Sequence, residues 1–214
     1  GSMRLLGMLG VACSSGASRT EAPGGPPIEG GVVYAIGDLH GDLDNALSAL
    51  AIGGLVGPDG HWTGGAATLV QTGDTTDRGP DSRGVLALLR RLEGEAKAAG
   101  GRVIPLLGNH EVMNLRGDWR YVSPGDLEAY GGEAPRKAAF AAEGEDGRWL
   151  RTLGAVARVG DTVFAHGGIR PDHAVGGVDA INDRVRRALD TPGEPDVLGD
   201  AGPLWYRGYV QDPE

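Results

Sequence analysis

Residue types that bind metal ions and phosphate recur in four short segments of this chain, at residues 37–42, 73–79, 108–111 and 166–168. Together these segments supply carboxylates, an amide oxygen, imidazoles and an arginine. A pair of divalent cations and a phosphate group need that combination of donors. Taken together and in this order, the segments predict a metal-dependent phosphoester hydrolase.

Five side chains in these segments are candidate metal ligands. Asp38 and His40 lie two residues apart on a predicted turn, so both can face one ion. Asp74 is the natural bridge, because one carboxylate can give an oxygen to each of two ions. Asn109 and His166 would then serve the second ion. Mixed carboxylate, amide and imidazole donors favour Mn, Fe or Zn over Ca, and we expect two divalent ions, with Mn the first choice.

The same segments hold candidates for the chemistry on phosphorus. A water shared between two ions becomes a hydroxide near neutral pH and attacks phosphorus in line. Arg78 offers a planar fork for the phosphate oxygens. His110 can protonate the departing oxygen, and Asp77 can orient that imidazole and keep it charged. Glu111 is expected to be structural and to hold a backbone or arginine group near the site.

Composition sets the class of protein and of partner. A chain of 214 residues can form one domain with a sizeable core, and 40% of its residues are hydrophobic. The formal net charge of −9 argues against nucleic acid as a partner, since such binding rests on clustered Lys and Arg. A single cysteine excludes an internal disulfide framework. We expect a phosphorylated protein, a phosphopeptide or a small phosphomonoester as the substrate, and composition leaves the oligomeric state open.

Residues 1–31 are expected to precede the folded catalytic domain, which we place at residues 32–214. The stretch from Met3 to Cys13 resembles a short bacterial lipoprotein signal, and Cys13 would carry a lipid that tethers the protein to a membrane. Residues 14–31 are typical of a flexible tether. This interpretation favours an exported protein, periplasmic or lipid-anchored, over a cytoplasmic one. An unrelated start to the chain is the alternative.

Three strands are predicted to carry the first three polar segments. Apolar runs at residues 32–36, 68–71 and 102–107 are typical of buried strands in an α/β sheet, and each runs directly into one of the segments. Open α/β sheets place their sites at the carboxyl ends of the strands. Helical spacing predicts a helix capped by Asp42 or Asp44, and a second helix with Pro80 in its first turn.

The second half of the chain shows a weaker pattern. Residues 112–150 are irregular and are expected to form an insertion that borders the site. A predicted hairpin about Gly160 and Asp161 leads to His166. The two remaining histidines, His61 and His173, are expected to be surface loop residues.

The four segments are similar to the signature of the phosphoprotein phosphatase family of calcineurin-like metallophosphoesterases. That signature reads Gly-Asp-x-His-Gly, Gly-Asp-x-x-Asp-Arg-Gly, Gly-Asn-His-Glu and His-Gly-Gly, and all four blocks are present here. Residues 114–121 and 203–207 also resemble the bacterial, Shewanella-like branch. The resemblance implies an α/β fold with a central β-sandwich flanked by helices, a dinuclear site, and hydrolysis without a phosphoenzyme intermediate.

The chain departs from this family's pattern after residue 168. In the family a later histidine completes the second metal, and the sequence to Glu214 holds no such block. We therefore expect a domain that is incomplete at its C-terminus. Arg207 is an expected second phosphate contact. Two alternatives to a phosphomonoesterase stay open: a dinucleoside polyphosphate hydrolase, against which the intact Asp77 counts, and a non-catalytic module that binds metal or phosphate.

Overall fold

The computed structural model describes residues 31–191 and 197–211. The predicted signal, Cys13 and all of the tether except Gly31 lie outside these residues. The strands are β1 (Val33–Ile36), β2 (Thr68–Gln71), β3 (Arg102–Pro105), β4 (Val156–Val159) and β5 (Thr162–Ala165). The helices are α1 (Leu43–Ile52), α2 (Ser82–Ala98), α3 (Asn109–Leu115), α4 (Pro124–Tyr130), α5 (Glu133–Phe140), α6 (Glu145–Leu150), α7 (Gly177–Asp190) and α8 (Gly208–Gln211).

Strands β1, β2 and β3 form a parallel sheet in that order, so their carboxyl ends meet at one edge. Helices α1 and α2 pack on this sheet through a core that includes Leu50, Leu69, Leu89 and Val103. The large apolar side chains of α2 that face this core are all buried, namely Val85, Leu86, Leu88, Leu89 and Leu92. This packing fixes the loops that follow the three strands relative to one another.

Strand β1 is less buried than its apolar sequence predicts. Val33 is 42% exposed, and within the described residues β1 pairs with β2 alone. The prediction of a buried strand is therefore wrong for β1, because it lies at the edge of the sheet. The run of apolar residues predicted correctly that this segment is a strand, but it did not predict that the strand lies at the edge of the sheet.

Side-chain caps start the two helices beside the sheet. Asp42 accepts a hydrogen bond from the backbone N–H of Asn45, and Asp81 accepts one from Gly84. The prediction that Pro80 lies in the first turn of α2 is wrong, since the helix begins at Ser82 after the Asp81 cap. Pro80 instead precedes the cap, in the loop that carries Asp77 and Arg78.

The second sheet is the antiparallel pair of β4 and β5, which confirms the predicted hairpin. Its inner face packs on the parallel sheet through Val70, Ile104, Leu106, Ala157 and Val159. This face-to-face packing agrees with the expected sandwich of sheets. Helix α7 covers β4 on the other side, and the buried Asn182 on α7 hydrogen-bonds the backbone of β4.

Residues 112–150 form the helices α4 to α6 and most of α3, and they surround the fully buried Arg136. The structure also corrects the prediction for His173, which is only 5% exposed, whereas His61 is exposed as expected. None of the helices in the described ranges has the length and apolar character needed to cross a bilayer.

Candidate active site

Four polar residues of the predicted site have a left-handed backbone. They are His40 (φ 44°), Asp74 (56°), Asp77 (71°) and Arg78 (64°), and they are the only non-glycine residues with positive φ in the described parts of the chain. A side chain in this region costs about 1–2 kcal/mol, so surrounding contacts must hold the backbone there. The loops after β1 and β2 are therefore shaped by their contacts with the rest of the site.

Glu111 holds the loop after β2. Its fully buried carboxylate accepts hydrogen bonds from the backbone N–H groups of Asp74, Thr75, Thr76 and Gly108 at 2.7–3.1 Å. The hydroxyls of Thr75 and Thr76 donate to it as well, at 2.8 and 3.0 Å. One carboxylate thus joins the loop after β2 to the start of α3, which confirms the expectation that Glu111 holds backbone groups.

Two glycines allow these loops to touch. A Cβ atom on Gly73 would lie 2.4 Å from the nitrogen of Gly108, and one on Gly108 would lie 2.2 Å from Asp74 Oδ1. No larger residue fits either position without moving the backbone. The close approach lets the His110 backbone N–H donate to Asp74 Oδ1 at 3.0 Å, which fixes the carboxylate.

The five candidate metal ligands come together around Asp74. His40 Nε2 lies 3.5 Å from Asp38 Oδ2 and 3.8 Å from Asp74 Oδ2. His166 Nε2 lies 3.4 Å from Asp74 Oδ2 and 2.8 Å from Asn109 Oδ1. Among the described residues, the donor atoms of Asp74 lie within 4.8 Å of those of His40 and His110 in one group of side chains, and of Asp38 and His166 in another. Asp74 thus belongs to both groups, as a bridging carboxylate must.

The tautomers of the two imidazoles direct an Nε2 lone pair from each ring toward this space. His40 Nδ1 donates to the carbonyl of Thr76 at 3.0 Å, and its buried Nε2 has no hydrogen-bond partner within the described residues. His166 Nδ1 donates to the carbonyl of Thr72 at 3.1 Å, so its Nε2 meets the Asn109 oxygen as one acceptor facing another. A cation between these atoms removes both conflicts, and the residues present fit a divalent metal site.

The pKa shifts in the site have the same explanation. Burial, followed by the negative charge of Glu111, raises the pKa of Asp74 to about 7. Burial lowers the pKa of His166, against the smaller opposing effects of Glu111 and Asp38. Carboxylates crowded in a buried space and a neutral imidazole beside them are the state that a cation stabilises.

His110 and Asp77 form a buried pair next to the candidate metal ligands. His110 Nδ1 donates to Asp77 Oδ2 at 2.8 Å, and Nε2 lies on the side of the candidate ligands, 3.9 Å from Asp74 Oδ2. Burial alone would lower the pKa of His110, but the bond to Asp77 and the charges of Asp74, Asp77 and Glu111 outweigh it and raise the pKa. The pair has the geometry of an oriented proton donor.

Two arginines border this space. Arg78 is exposed, and its Nη2 lies 3.3 Å from His110 Nε2. A cavity of about 510 Å³ opens beside Arg78, Asp38 and His40, so a ligand can enter next to these side chains. Arg207 Nη2 lies 3.2 Å from His166 Nε2. Its predicted phosphate contact stays a prediction.

Sequence reasoning missed two polar residues of the site, Asp126 and Arg136, and assigned no role in the site to two others, Asn114 and Tyr121. Asn114 and Tyr121 lie in the segment 114–121 that resembles the Shewanella-like branch, and Asn114 also follows His110 by one helical turn and so shares its helix face. Asp126 and Arg136 lie in the irregular segment, where neither spacing nor a motif marks them. Tyr121 packs its ring 5.0 Å from that of His110.

Comparison with known proteins gives matches along most of the chain. The profile of the calcineurin-like phosphoesterase family matches residues 31–214. An uncharacterized protein of Schizosaccharomyces pombe is 43% identical over 84% of this chain and 58% of its own length. Shewanella-like protein phosphatase 2 of Arabidopsis thaliana is 36% identical over 72% of this chain and 50% of its own length.

A solved structure shares the fold. The cold-active protein-tyrosine phosphatase of a psychrophilic Shewanella species superposes with a TM-score of 0.76 and 31% identity, over 86% of this chain and 60% of that one. The α/β fold inferred from the sequence is thereby confirmed. The chain spans between half and three-fifths of the length of these relatives.

Proposed function

The chain belongs to the calcineurin-like phosphoesterase family, and from that premise we propose that it hydrolyses phosphomonoesters with the help of two divalent metal ions. The observation that carries this proposal is the convergence of acceptor atoms around Asp74. His40 Nε2 has no hydrogen-bond partner among the described residues, and His166 Nε2 lies 2.8 Å from the Asn109 oxygen as one acceptor facing another. Divalent cations bind such a mixed set of nitrogen and oxygen lone pairs.

The proposed ligands divide into two sets that share Asp74. Asp38, His40 and Asp74 would hold one ion, and Asp74, Asn109 and His166 would hold the other. We propose Mn²⁺ as the ion, because the mixed oxygen and nitrogen donors suit it. When bound, such a pair of ions supplies a nucleophile from water at neutral pH and stabilises charge on the phosphoryl group.

The remaining side chains would bind and protonate the substrate. Arg78 is the proposed phosphate clamp, because its guanidinium is exposed beside the open space. His110 would give its Nε2 proton to the departing oxygen while Asp77 holds the ring through Nδ1. Arg207 would contact the phosphate from the side of His166.

The relatives suggest the substrate class. The Arabidopsis relative is named a protein phosphatase and the Shewanella relative a protein-tyrosine phosphatase. We propose phosphorylated peptides as substrates, with phosphotyrosine the first to test. The open cavity beside Arg78 and the exposed face of Tyr121 leave room for a peptide side chain.

The test is hydrolysis of p-nitrophenyl phosphate by the 214-residue chain loaded with Mn²⁺, with metal content measured on the same sample. Turnover that EDTA abolishes and Mn²⁺ restores supports the proposal. No turnover with two ions bound per chain would end it and leave a module that binds metal without catalysis. Rates on phosphotyrosine and phosphoserine peptides, with diadenosine tetraphosphate as comparison, then define the substrate.

A further inference from the structure

Arg136 is a cation with no exposure to solvent, and it belongs to the segment whose sequence gave least information. Its guanidinium lies among the rings of Trp119, Tyr130 and Phe140, with its centre 4.5–5.6 Å from their centroids. Burying a charge is costly unless hydrogen bonds and an opposite charge compensate it, and an apolar side chain of similar size would pack there at lower cost. The partners of Arg136 therefore indicate what it does.

Those partners lead to the proton donor. Arg136 Nη1 donates to Asn114 Oδ1 at 2.8 Å, Nε donates to Asp126 Oδ2 at 2.8 Å, and Nη2 lies 3.4 Å from Asp77 Oδ1. Asp126 and Asp77 are fully buried as well. One guanidinium thus contacts the residue that orients His110.

Asn114 transmits this contact with a defined polarity. Arg136 offers only donors, so the oxygen of the Asn114 amide must face it and the NH₂ group must point away. That NH₂ group donates to Asp77 Oδ1 at 3.0 Å and to the carbonyl of His110 at 2.9 Å. With Oδ1 occupied, Asp77 has Oδ2 left for His110 Nδ1, and this sets which ring nitrogen faces the substrate.

The second carboxylate ties the same unit to α2. Asp126 Oδ1 accepts a hydrogen bond from the backbone N–H of Ser82 at 2.7 Å. The hydroxyl of Ser82 in turn accepts one from the backbone N–H of Asp77 at 3.0 Å. Arg136 therefore contacts the carboxylate of Asp77 directly and through Asn114, and Asp126 holds the strained backbone of Asp77 through Ser82.

We propose that Arg136 is a positioning residue for the Asp77–His110 pair, acting through Asn114 and Asp126, and that it determines how well the enzyme expels leaving groups that need a proton. This inference rests on the proposed function, in which His110 protonates the departing oxygen. According to this proposal, residues 112–150 orient the proton donor His110. A purely structural role for Arg136 would affect all substrates alike.

The test compares Arg136→Lys with wild-type enzyme on two kinds of leaving group, in Mn²⁺-loaded protein. Lysine keeps the charge but cannot contact Asp126, Asn114 and Asp77 together. We expect kcat on a phosphoserine peptide, a poor leaving group, to fall about 10- to 100-fold, while kcat on p-nitrophenyl phosphate falls no more than about threefold. KM and metal content should stay within about twofold of wild type, because no metal ligand changes.

Arg90→Lys is the matched control. Arg90 pairs with the buried Asp146 at 2.6 Å between α2 and α6, and within the described residues neither partner hydrogen-bonds Asp77, Asn114 or Asp126. Asp146 also accepts a hydrogen bond from Tyr130, whose ring packs against Arg136, so the control removes a neighbouring buried ion pair. Its substitution should leave the ratio of the two kcat values at the wild-type level. A ratio that shifts equally in both variants would contradict a specific role for Arg136.

A second variant guards against simple misfolding. In Arg136→Met combined with Asp126→Asn, both buried charges are removed, and the asparagine oxygen can still accept from Ser82. The expected result is again a selective loss on the phosphoserine peptide. Equal losses on both substrates, or failure of both variants to fold, would overturn the proposal and assign the network to stability alone. Inactive wild-type enzyme would instead refute the proposed function itself.

Discussion

Replacing Glu111 with glutamine tests whether one carboxylate holds the site together. A glutamine has one acceptor oxygen, and its NH₂ group must face either Asp74 and Gly108 or Thr75 and Thr76. In either orientation two backbone N–H groups lose their acceptor. Buried hydrogen bonds to a charged group contribute about 1.5–3 kcal/mol each, so the free energy of unfolding should fall by about 3–6 kcal/mol.

That loss is large compared with the whole stability of a domain, which is about 5–15 kcal/mol. At roughly 2–4 °C per kcal/mol for a chain of this size, the melting temperature should fall by roughly 6–24 °C. The repulsion between Glu111 and Asp74 offsets part of the loss in metal-free protein, so the largest decrease is expected with Mn²⁺ bound. Thermal unfolding followed by circular dichroism, with and without Mn²⁺, measures both values.

Glu128→Gln is the matched control, because Glu128 is an exposed carboxylate on α4 and its change should leave the melting temperature as it is. A decrease of less than about 3 °C for Glu111→Gln would refute the reasoning. It would mean that the strained loops after β1 and β2 keep their shape without the carboxylate.

The remaining predictions concern metal and substrate. Asp74→Ala should lose both ions by elemental analysis, because Asp74 is the proposed bridge, whereas His110→Ala should keep them and lose about 10²- to 10⁴-fold in kcat on a phosphoserine peptide. Retention of both ions in the Asp74 variant would contradict the bridge. Arg78→Lys should weaken inhibition by inorganic phosphate about 10-fold with metal content unchanged, since lysine lacks the planar fork. The pKa of Asp74 is raised from 3.8 to about 7, so the protonated carboxyl stabilises the metal-free fold at low pH. This contribution to the free energy of unfolding is lost as the pH rises through about 7. Mn²⁺ must displace that proton, so its affinity by calorimetry should fall about tenfold per pH unit below 7 and level off above it, and a flat profile from pH 5.5 to 8 would oppose this.

The sequence located the elements that carry the site because the signal is local there. Each of the first three polar segments follows an apolar run, and parallel strands bring such segments to one edge of a sheet whatever their detailed length. The hairpin leading to His166 was likewise marked by its turn at Gly160. Local pattern is therefore enough to predict that Asp38, Asp74 and Asn109 lie close together.

What the sequence could not give was the position of an element among its neighbours. β1 has the composition of an interior strand, but it lies at the edge of the sheet. Pro80 occupies a sequence position typical of the first turn of a helix, but it precedes the Asp81 cap. His173 sits in a loop, and yet packing buries it. Exposure and register depend on contacts far along the chain, and a single window of sequence does not contain them.

The buried polar residues next to the site show that functional residues, too, can depend on long-range contacts that a window of sequence does not contain. Arg136 lies 59 positions from Asp77 in the chain, and nothing in the spacing of α5 marks it as a partner. Locally it resembles any solvated arginine, and it is explained only by the buried carboxylates that surround it. Active residues held in strained conformations need support from outside their own loops. In this protein, buried charged residues on other elements supply that support. A residue that contradicts its local sequence pattern, such as a fully buried arginine, therefore indicates a supporting contact to the site.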